Sequence, residues 1–209
     1  MTVEFTHVFF DIGGVLGTNG WDRKQRKAAL GHFGIDTEDF QYRHEETVGA
    51  LEEGRIGLDG YLDITVFCCA RGFSRDEFRT FMLMQSVADV DAIAIARALS
   101  ESGRYTMMTL NNESAELNRH RIVKFGLGSI FTAFLSSCWL RARKPTRIFY
   151  DLALSIANAD PARSLFIDDR DQNLAPATAL GMTAIHFTSA AQLRSELSRL
   201  GVESNLHGG

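Results

Sequence analysis

The segment His7-Val8-Phe9-Phe10-Asp11 constrains the fold of this chain more than any other stretch. A run this apolar predicts a buried strand. It stops on Asp11 and is followed by Ile12-Gly13-Gly14-Val15-Leu16, which puts a carboxylate at the carboxyl end of the strand. That is where open α/β sheets bind their ligands. Ser164-Leu165-Phe166-Ile167-Asp168-Asp169 has the same form near the other end of the chain. Two apolar strands that each deliver carboxylates at one edge point to a single metal-dependent active site built from distant segments.

The second half of the chain alternates between strand and helix signals. Strands are predicted over 104–110, 130–135, 164–167 and 182–187. Asn111-Asn112 ends the first of them, and Asn112 can cap the helix that follows. Pro145 fits a first helical turn, where its missing N–H is not needed. The helix after it runs towards Ala157, with Ile148, Leu152 and Ile156 at helical spacing. Further helices are predicted over 174–180 and 190–200, and the tail 203–209 is expected to fray. This βαβα alternation predicts a parallel sheet with helices on both faces. Between Gly17 and about Asp91 strand patterns vanish. Amphipathic helical signals replace them over 26–30, 39–52, 59–69 and 74–84. A helical insertion after the first strand is the expected organisation, and the sheet resumes after a helix over 90–99.

Composition narrows the function classes. The net charge of -4 and the lack of a Lys/Arg cluster argue against nucleic acid as a partner. No run reaches the roughly 20 apolar residues of a membrane span, and the start of the chain lacks a cationic leader. Cys68, Cys69 and Cys138 fit neither a disulfide framework nor a metal spacing. They are expected to be buried small hydrophobes in a reducing cytoplasm.

Several residues can carry chemistry. An aspartate such as Asp11 can attack phosphorus to give an aspartyl-phosphate, dividing one hard step into two easier ones. Mg²⁺ would offset the repulsion between the two anions, held by one or two carboxylates with waters and phosphate oxygens. Asp168 and Asp169 are the second carboxylate source. The alternative for Asp11 is a strand-end carboxylate that accepts backbone N–H groups. Lys144 can neutralise phosphate and aspartate together, or be a solvated surface lysine. Asn111 can bind a phosphoryl oxygen through its amide, or cap a helix. Asn173 can orient the metal shell, or cap the helix at Leu174.

The order of these segments resembles the haloacid dehalogenase-like hydrolase superfamily, over nearly the whole chain. Phe9-Phe10-Asp11-Ile12-Gly13-Gly14-Val15 is similar to its first motif, Leu110-Asn111-Asn112 to its second, Lys144-Pro145 to its third and Phe166-Ile167-Asp168-Asp169 to its fourth. The resemblance implies a three-layer α/β core with a Rossmann-like parallel sheet, residues 1–17 and 92–209, and an inserted α-helical cap, residues 18–91. It implies that Asp11 is the nucleophile and a metal ligand. Lys144 stabilises the phosphate charge, and Asn111 touches the phosphoryl group, with Thr109 in its place if the alignment slips. Asp168 and the carbonyl of Gly13 are further Mg²⁺ ligands, supported by Asp169 and Asn173. Asn112, Gly14, His44 and Arg43 are the substrate-binding candidates, and Trp21, Arg23, Lys24 and Tyr42 further candidates for the cleft. Phe67, Phe78 and Phe81, at helical spacing, are expected to pack the core of the cap.

Two departures from the family pattern matter. Family phosphatases usually carry a second aspartate two residues after the nucleophile, as general acid and base, and Gly13 stands there in this chain. Such a group typically contributes ~10²–10⁴-fold; His44 and Glu45 are candidates to replace it, or are plain surface-helix residues. Asn111 also stands where Ser or Thr is usual. The expected function is a Mg²⁺-dependent phosphatase of a small phosphate monoester, sugar-phosphate-like, with no nucleic-acid or membrane partner and an open oligomeric state. One alternative is a weakly active or inactive relative that binds a phosphorylated ligand or a protein. Another is a metal-independent haloacid dehalogenase, disfavoured because packing Asp168-Asp169 beside Asp11 is costly without a cation.

Overall fold

The protein was analysed as a computed structural model that describes residues 4–202. The tail 203–209, expected to fray, lies outside the described residues. In chain order the elements are β1 (His7–Phe10), α1 (Arg23–Phe33), α2 (Thr37–Glu52), α3 (Leu58–Thr65), α4 (Arg75–Met84) and α5 (Val90–Glu101). Then follow β2 (Thr106–Asn111), α6 (Ala115–Lys124), β3 (Ala133–Ser136), α7 (Ser137–Leu140) and α8 (Arg147–Ala157). The last are β4 (Ser164–Asp168), α9 (Asp171–Ala179), β5 (Thr183–His186) and α10 (Ala190–Arg199).

The described strands form one parallel sheet of five, in the order β3-β2-β1-β4-β5. His7 pairs in register with Thr106 on one side and Ser164 on the other, so β1 is central. Side chains alternate across a strand, and here both faces are covered. Val8 and Phe10 point into a core with α5 and α10, including Ile95, Leu99, Leu193 and Leu197. Phe9 and Phe166 point the other way, against Phe149 and Tyr150 of α8 and Ala177 of α9. Burial on both faces explains why β1 reads as an unbroken apolar run. The order reverses between β1 and β4, because the chain builds outward from β1 through β2 to β3 and then returns to the other side.

The four helices between β1 and α5 have a hydrophobic core of their own. Trp21, Phe40, Leu58, Tyr61, Phe78 and Met82 are buried in it, with Phe33, Phe67, Phe73 and Phe81 packed against them. Phe78 is the hub: it meets Trp21 edge-on at 5.9 Å and Phe33 at 5.0 Å. The aromatics at helical spacing are therefore packing residues, as expected. The two connections into this helical layer run side by side. Gly17 bridges Ala88, and the Thr18 N–H donates to the Val87 carbonyl at 2.8 Å.

Three local expectations are corrected. The buried face of α8 is Phe149, Tyr150, Ala153 and Leu154, whereas Ile148 and Ile156 are exposed. Both sets keep helical spacing, and the set with the two aromatics buries more surface. Ser114, not Asn112, caps α6, accepting from the Leu117 N–H at 3.4 Å. Cys68 and Cys69 are exposed in the bend after α3, and only Cys138 of the three free cysteines is buried. No helix among the described residues is long and apolar enough to cross a membrane.

Removing the hub should unravel the helical layer. Phe78→Ala is expected to cost about 3–5 kcal/mol, read as a lower urea midpoint. A loss below about 1 kcal/mol would mean that the aromatic cluster is not cooperative with the rest.

Candidate active site

Two carboxylates are driven together at the point where strand order reverses. Asp11 follows β1, and its N–H donates to the Ile167 carbonyl of β4 at 2.9 Å. Asp168 ends β4 and is fully buried. The Lys144 ammonium sits between them, 3.0 Å from Asp11 Oδ2 and 2.6 Å from Asp168 Oδ2. Lys144 is held at its backbone by Asn112, which accepts from the Lys144 N–H and donates to its carbonyl, both at 2.9 Å. Asn173 donates to the two oxygens of Asp168 at 2.9 and 3.1 Å, and the Arg170 N–H to Oδ1 at 2.9 Å. Every member of the cluster has its orientation fixed by a second group.

The charges do not balance. Burial pushes the Asp11 carboxyl up to about 7; Lys144 opposes the shift, and Asp168 and Asp169 add to it. Burial alone would lower Lys144, but Asp11 and Asp168 outweigh it and keep the ammonium protonated above its ordinary range. One cation thus faces more carboxylate than it neutralises. Asp169 completes the imbalance, because one oxygen each of Asp11, Asp168 and Asp169 lie within 4.8 Å of one another. Asp169 Oδ2 accepts from Asn19 at 3.2 Å, and Oδ1 is buried with no hydrogen-bond partner. An orphaned carboxylate oxygen beside two others fits a hard divalent cation such as Mg²⁺, which takes oxygen ligands. Asp169, expected to stand behind the ligands, belongs to the acidic cluster itself.

Gly14 makes that approach possible. It adopts φ of +79°, and a Cβ there would lie 2.2 Å from Asp169 Oδ2. Its N–H donates to the Gly17 carbonyl at 2.7 Å. The expectation that Gly14 binds substrate is corrected accordingly: its amide is used, and the residue lies outside the lining of the active-site cavity.

That cavity, of about 550 Å³, opens over the cluster. Asp11, Gly13, Asn112, Glu113 and Lys144 form its floor, and Trp21, Arg26 and His44 part of its helical wall. Arg23 also lines it, whereas Lys24, Tyr42 and Arg43 do not. Arg43 is instead bound to Asp39 one turn away at 3.0 Å, on an exposed face, which corrects its assignment to substrate. Asn111 is corrected too. Its amide donates to Asn118 at 3.0 Å, Asn118 donates to Ser136 at 2.7 Å, and Ser136 donates back to Asn111 at 2.8 Å. This closed ring ties β2 to α6 and β3 and leaves Asn111 outside the cavity lining. Thr109 is buried within β2, its hydroxyl unpartnered, and also away from the cavity.

Glu113 and Arg121 were not legible as a pair. Arg121 is almost fully buried and lies 3.4 Å from Glu113 Oε2 through Nη1. Its Nε donates to Ser86 at 3.2 Å and its Nη2 to the Thr18 carbonyl at 3.0 Å, so it clasps both connections to the helical layer. Gly20 leaves room for the guanidinium, since a Cβ there would lie 1.6 Å from Nη2. The same Nη1 lies 3.4 Å from where a Cβ on Gly13 would stand. Burial raises the Glu113 carboxyl, with Arg121 opposing. Glu113 directly follows the Asn-Asn pair, which was the available signal.

In the helical wall, Trp21 Nε1 donates to the Tyr61 hydroxyl at 2.9 Å, and that hydroxyl lies 2.8 Å from His44 Nδ1. Indole nitrogen is a donor only, so the arrangement that leaves no hydrogen idle has Tyr61 donating to Nδ1. His44 then carries its proton on Nε2. Burial, and after it the Arg26 guanidinium, lowers His44 to about 4. The folded state therefore binds fewer protons than the unfolded state between about pH 6.5 and 4, and stability should fall with pH across that window. His44→Gln should flatten this slope in urea melts at stepped pH. An unchanged slope would mean that His44 is not held neutral.

No protein-family model matches the chain. It is 25% identical to the sesquiterpene phosphatase astK of Aspergillus oryzae, over 96% of this chain and 98% of that protein. Among solved structures it superposes on the HAD family enzyme bt-2542 of Bacteroides thetaiotaomicron with a TM-score of 0.79, at 20% identity, covering 94% and 99% of the two chains. That enzyme has also been solved with magnesium and inorganic phosphate. An L-2-haloacid dehalogenase of Xanthobacter autotrophicus, with chloropropionic acid covalently bound, superposes with a TM-score of 0.61 at 18% identity, over 96% and 85%. With its motifs in order along a parallel sheet of this topology, the chain carries the fold of the haloacid dehalogenase-like (HAD) superfamily.

Proposed function

We propose that this protein is a Mg²⁺-dependent phosphatase of small phosphate monoesters, sugar-phosphate-like, acting through an aspartyl-phosphate on Asp11. The observation that carries the reading is the acidic trio Asp11, Asp168 and Asp169, bridged by Lys144 and still short of positive charge. A metal-independent dehalogenase would have no use for three converging carboxylates. A phosphatase relative and the magnesium and phosphate complex of a structural neighbour support the same choice. In this reading residues 18–91 are a cap over residues 1–17 and 92–209.

Asp11, Asp168, Asp169 and the Gly13 carbonyl would hold Mg²⁺, which when bound supplies positive charge to the carboxylates and to phosphoryl oxygens. The rest is done by the chain. An Asp11 oxygen attacks phosphorus in line as the bond to the leaving oxygen breaks. Lys144, kept protonated by its two carboxylates, donates to a non-bridging oxygen and stabilises its charge. Asn112 holds Lys144 in place through its backbone. Water then attacks the aspartyl-phosphate, releasing phosphate and Asp11.

We assign to Glu113 the proton transfers that family members give to an aspartate two residues after the nucleophile. An aspartate at position 13 would face the Arg121 guanidinium, and Glu113 is the carboxylate paired with that guanidinium here. It lines the cavity, is oriented by a third group and has a raised pKa, the properties of a general acid. His44, neutral and donated to by Tyr61, and Glu45, engaged with Gln41 on an exposed helix face, are less suited to the role.

Asp11→Asn is expected to lower turnover of an alkyl phosphate in Mg²⁺ by at least about 1,000-fold, and EDTA to abolish it in the unmodified protein. Turnover that survives both would remove Asp11 and the metal from the reaction. Glu113→Gln should cost about 10²–10⁴-fold on an alkyl phosphate and far less on 4-nitrophenyl phosphate, whose leaving group needs no proton. Equal losses on the two esters would make Glu113 a structural strut instead.

A further inference from the structure

The cations of the active-site cavity are accounted for one by one, with a single exception. Lys144 has Asp11 and Asp168, Arg121 has Glu113, and Arg143 has Glu52 at 3.1 Å. Arg23 and Arg170 are exposed, where water screens them. Arg26 is different. Only 9% of it is accessible, and among the described residues no carboxylate lies within ion-pair distance. Its Nη1 donates to the Trp21 carbonyl at 2.7 Å, but Nε is buried with no hydrogen-bond partner. The nearest acids are already engaged: Asp22 caps α1 by accepting from the Lys24 N–H at 2.9 Å, and Glu45 accepts from Gln41 at 3.0 Å.

A buried guanidinium with neither a counter-ion nor a full set of acceptors is costly. Such a group in a cavity wall is explained if a ligand supplies the missing anion. His44 lines the same wall, and with Tyr61 on its Nδ1 the ring keeps an N–H donor at Nε2, the nitrogen left for a ligand. Arginine and a neutral imidazole N–H together suit an oxyanion, for which charge-assisted hydrogen bonds are the strong ones. The acidic cluster takes the phosphoryl group at the cavity floor, so the wall meets the other end of the substrate.

We propose that Arg26, with His44, binds a second oxyanion on the alcohol portion of the substrate, so that the preferred monoester carries a carboxylate or a second phosphoryl group away from the scissile phosphate. This inference rests on the phosphatase reading and narrows its substrate class. It also explains why a cap with its own packed core keeps an unpaired charge inside it: the residue is placed for binding at the expense of stability.

The test uses three esters of one chain length: propyl phosphate, 3-carboxypropyl phosphate and propane-1,3-diyl bisphosphate. Wild-type protein with Mg²⁺ should favour one or both of the esters that carry a second anionic group over propyl phosphate by about 10- to 100-fold in kcat/KM, the worth of one charged hydrogen bond. Which of the two is preferred identifies the oxyanion as carboxylate or phosphoryl. Arg26→Gln should collapse that ratio towards one. It should also leave the ligand-free Tm unchanged or higher, since it removes an uncompensated buried charge; a purely structural arginine would lower it. Calorimetric binding of the same esters to Asp11→Asn, with and without Arg26→Gln, separates recognition from chemistry. A binding preference lost with Arg26 but no turnover would uphold the anion site and overturn the phosphatase reading. Turnover of all three esters at similar rates in wild-type protein would overturn the anion site and uphold the phosphatase. Neither binding nor turnover of any ester would overturn both.

Discussion

The Lys144 ammonium is the interaction on which the site depends. Parallel pairing of β1 with β4 brings the ends of two strands within reach of each other, and each end carries an aspartate. Without a cation between them, two carboxylates buried this closely could not both ionise. The chain supplies the cation from a third segment, and Asn112 of a fourth clamps the backbone of that segment. Asp168 in turn is oriented by Asn173 of α9. The cluster is therefore a junction of segments far apart in sequence, each of which would be destabilising alone. Asp169 goes further than the ammonium can compensate, so the centre is not a closed ion pair, and on the proposed reading that residual negative charge is what would hold a metal.

Arg121 plays the complementary part at the edge of the cavity. Buried among a carboxylate, a hydroxyl and a carbonyl, it joins α6 to both connections of the helical layer. The helical layer has a core separate from those on the two faces of the sheet, joined to α6 by Leu117, and polar links such as this and the contact of Ser137 with the Glu52 carbonyl add to that junction. Coupling the site to the wall above it through directed hydrogen bonds fixes orientation more tightly than apolar packing would.

The fold was legible because its signals are local. Both faces of β1 and β4 are buried, so each strand reads as a continuous apolar run, and each ends in an acid. The helical insertion was legible from glycine-punctuated amphipathic segments. Asp11 and Asp168 could be read for the same reason, since each lies at the carboxyl end of a strand whose type is clear, whereas Lys144 was marked by the Pro145 that follows it and Asn173 by its place soon after Asp168. The residues that were misplaced lie where the partner is distant. Asn111 at the end of β2 looks free to bind a ligand until α6 folds back and Asn118 takes its amide. Ile148 and Phe149 are both on helical stripes, and only the packed sheet decides which stripe turns inward. Glu113 had only its place after Asn111-Asn112 to mark it, and Arg26 had no signal as a single residue, because what distinguishes them is the presence of one partner and the absence of another. Gly13 was legible as a departure, but not that Arg121 stands opposite it.

The clasp between the two connections, where Thr18 meets Val87 and Gly17 meets Ala88, has a consequence for how the chain assembles. The central strand is made first, and its neighbours β2 and β4 come from far along the sequence, an arrangement of high contact order that slows folding because the loop must close before pairing rewards it. If the helical layer condenses on its own aromatic core and fastens at the clasp, the polymer between β1 and β2 shrinks to the short stretch before Leu16 and the helix after Asp89. The insertion then acts as a knot of already ordered chain, and the sheet closes around β1 as if those helices were not there.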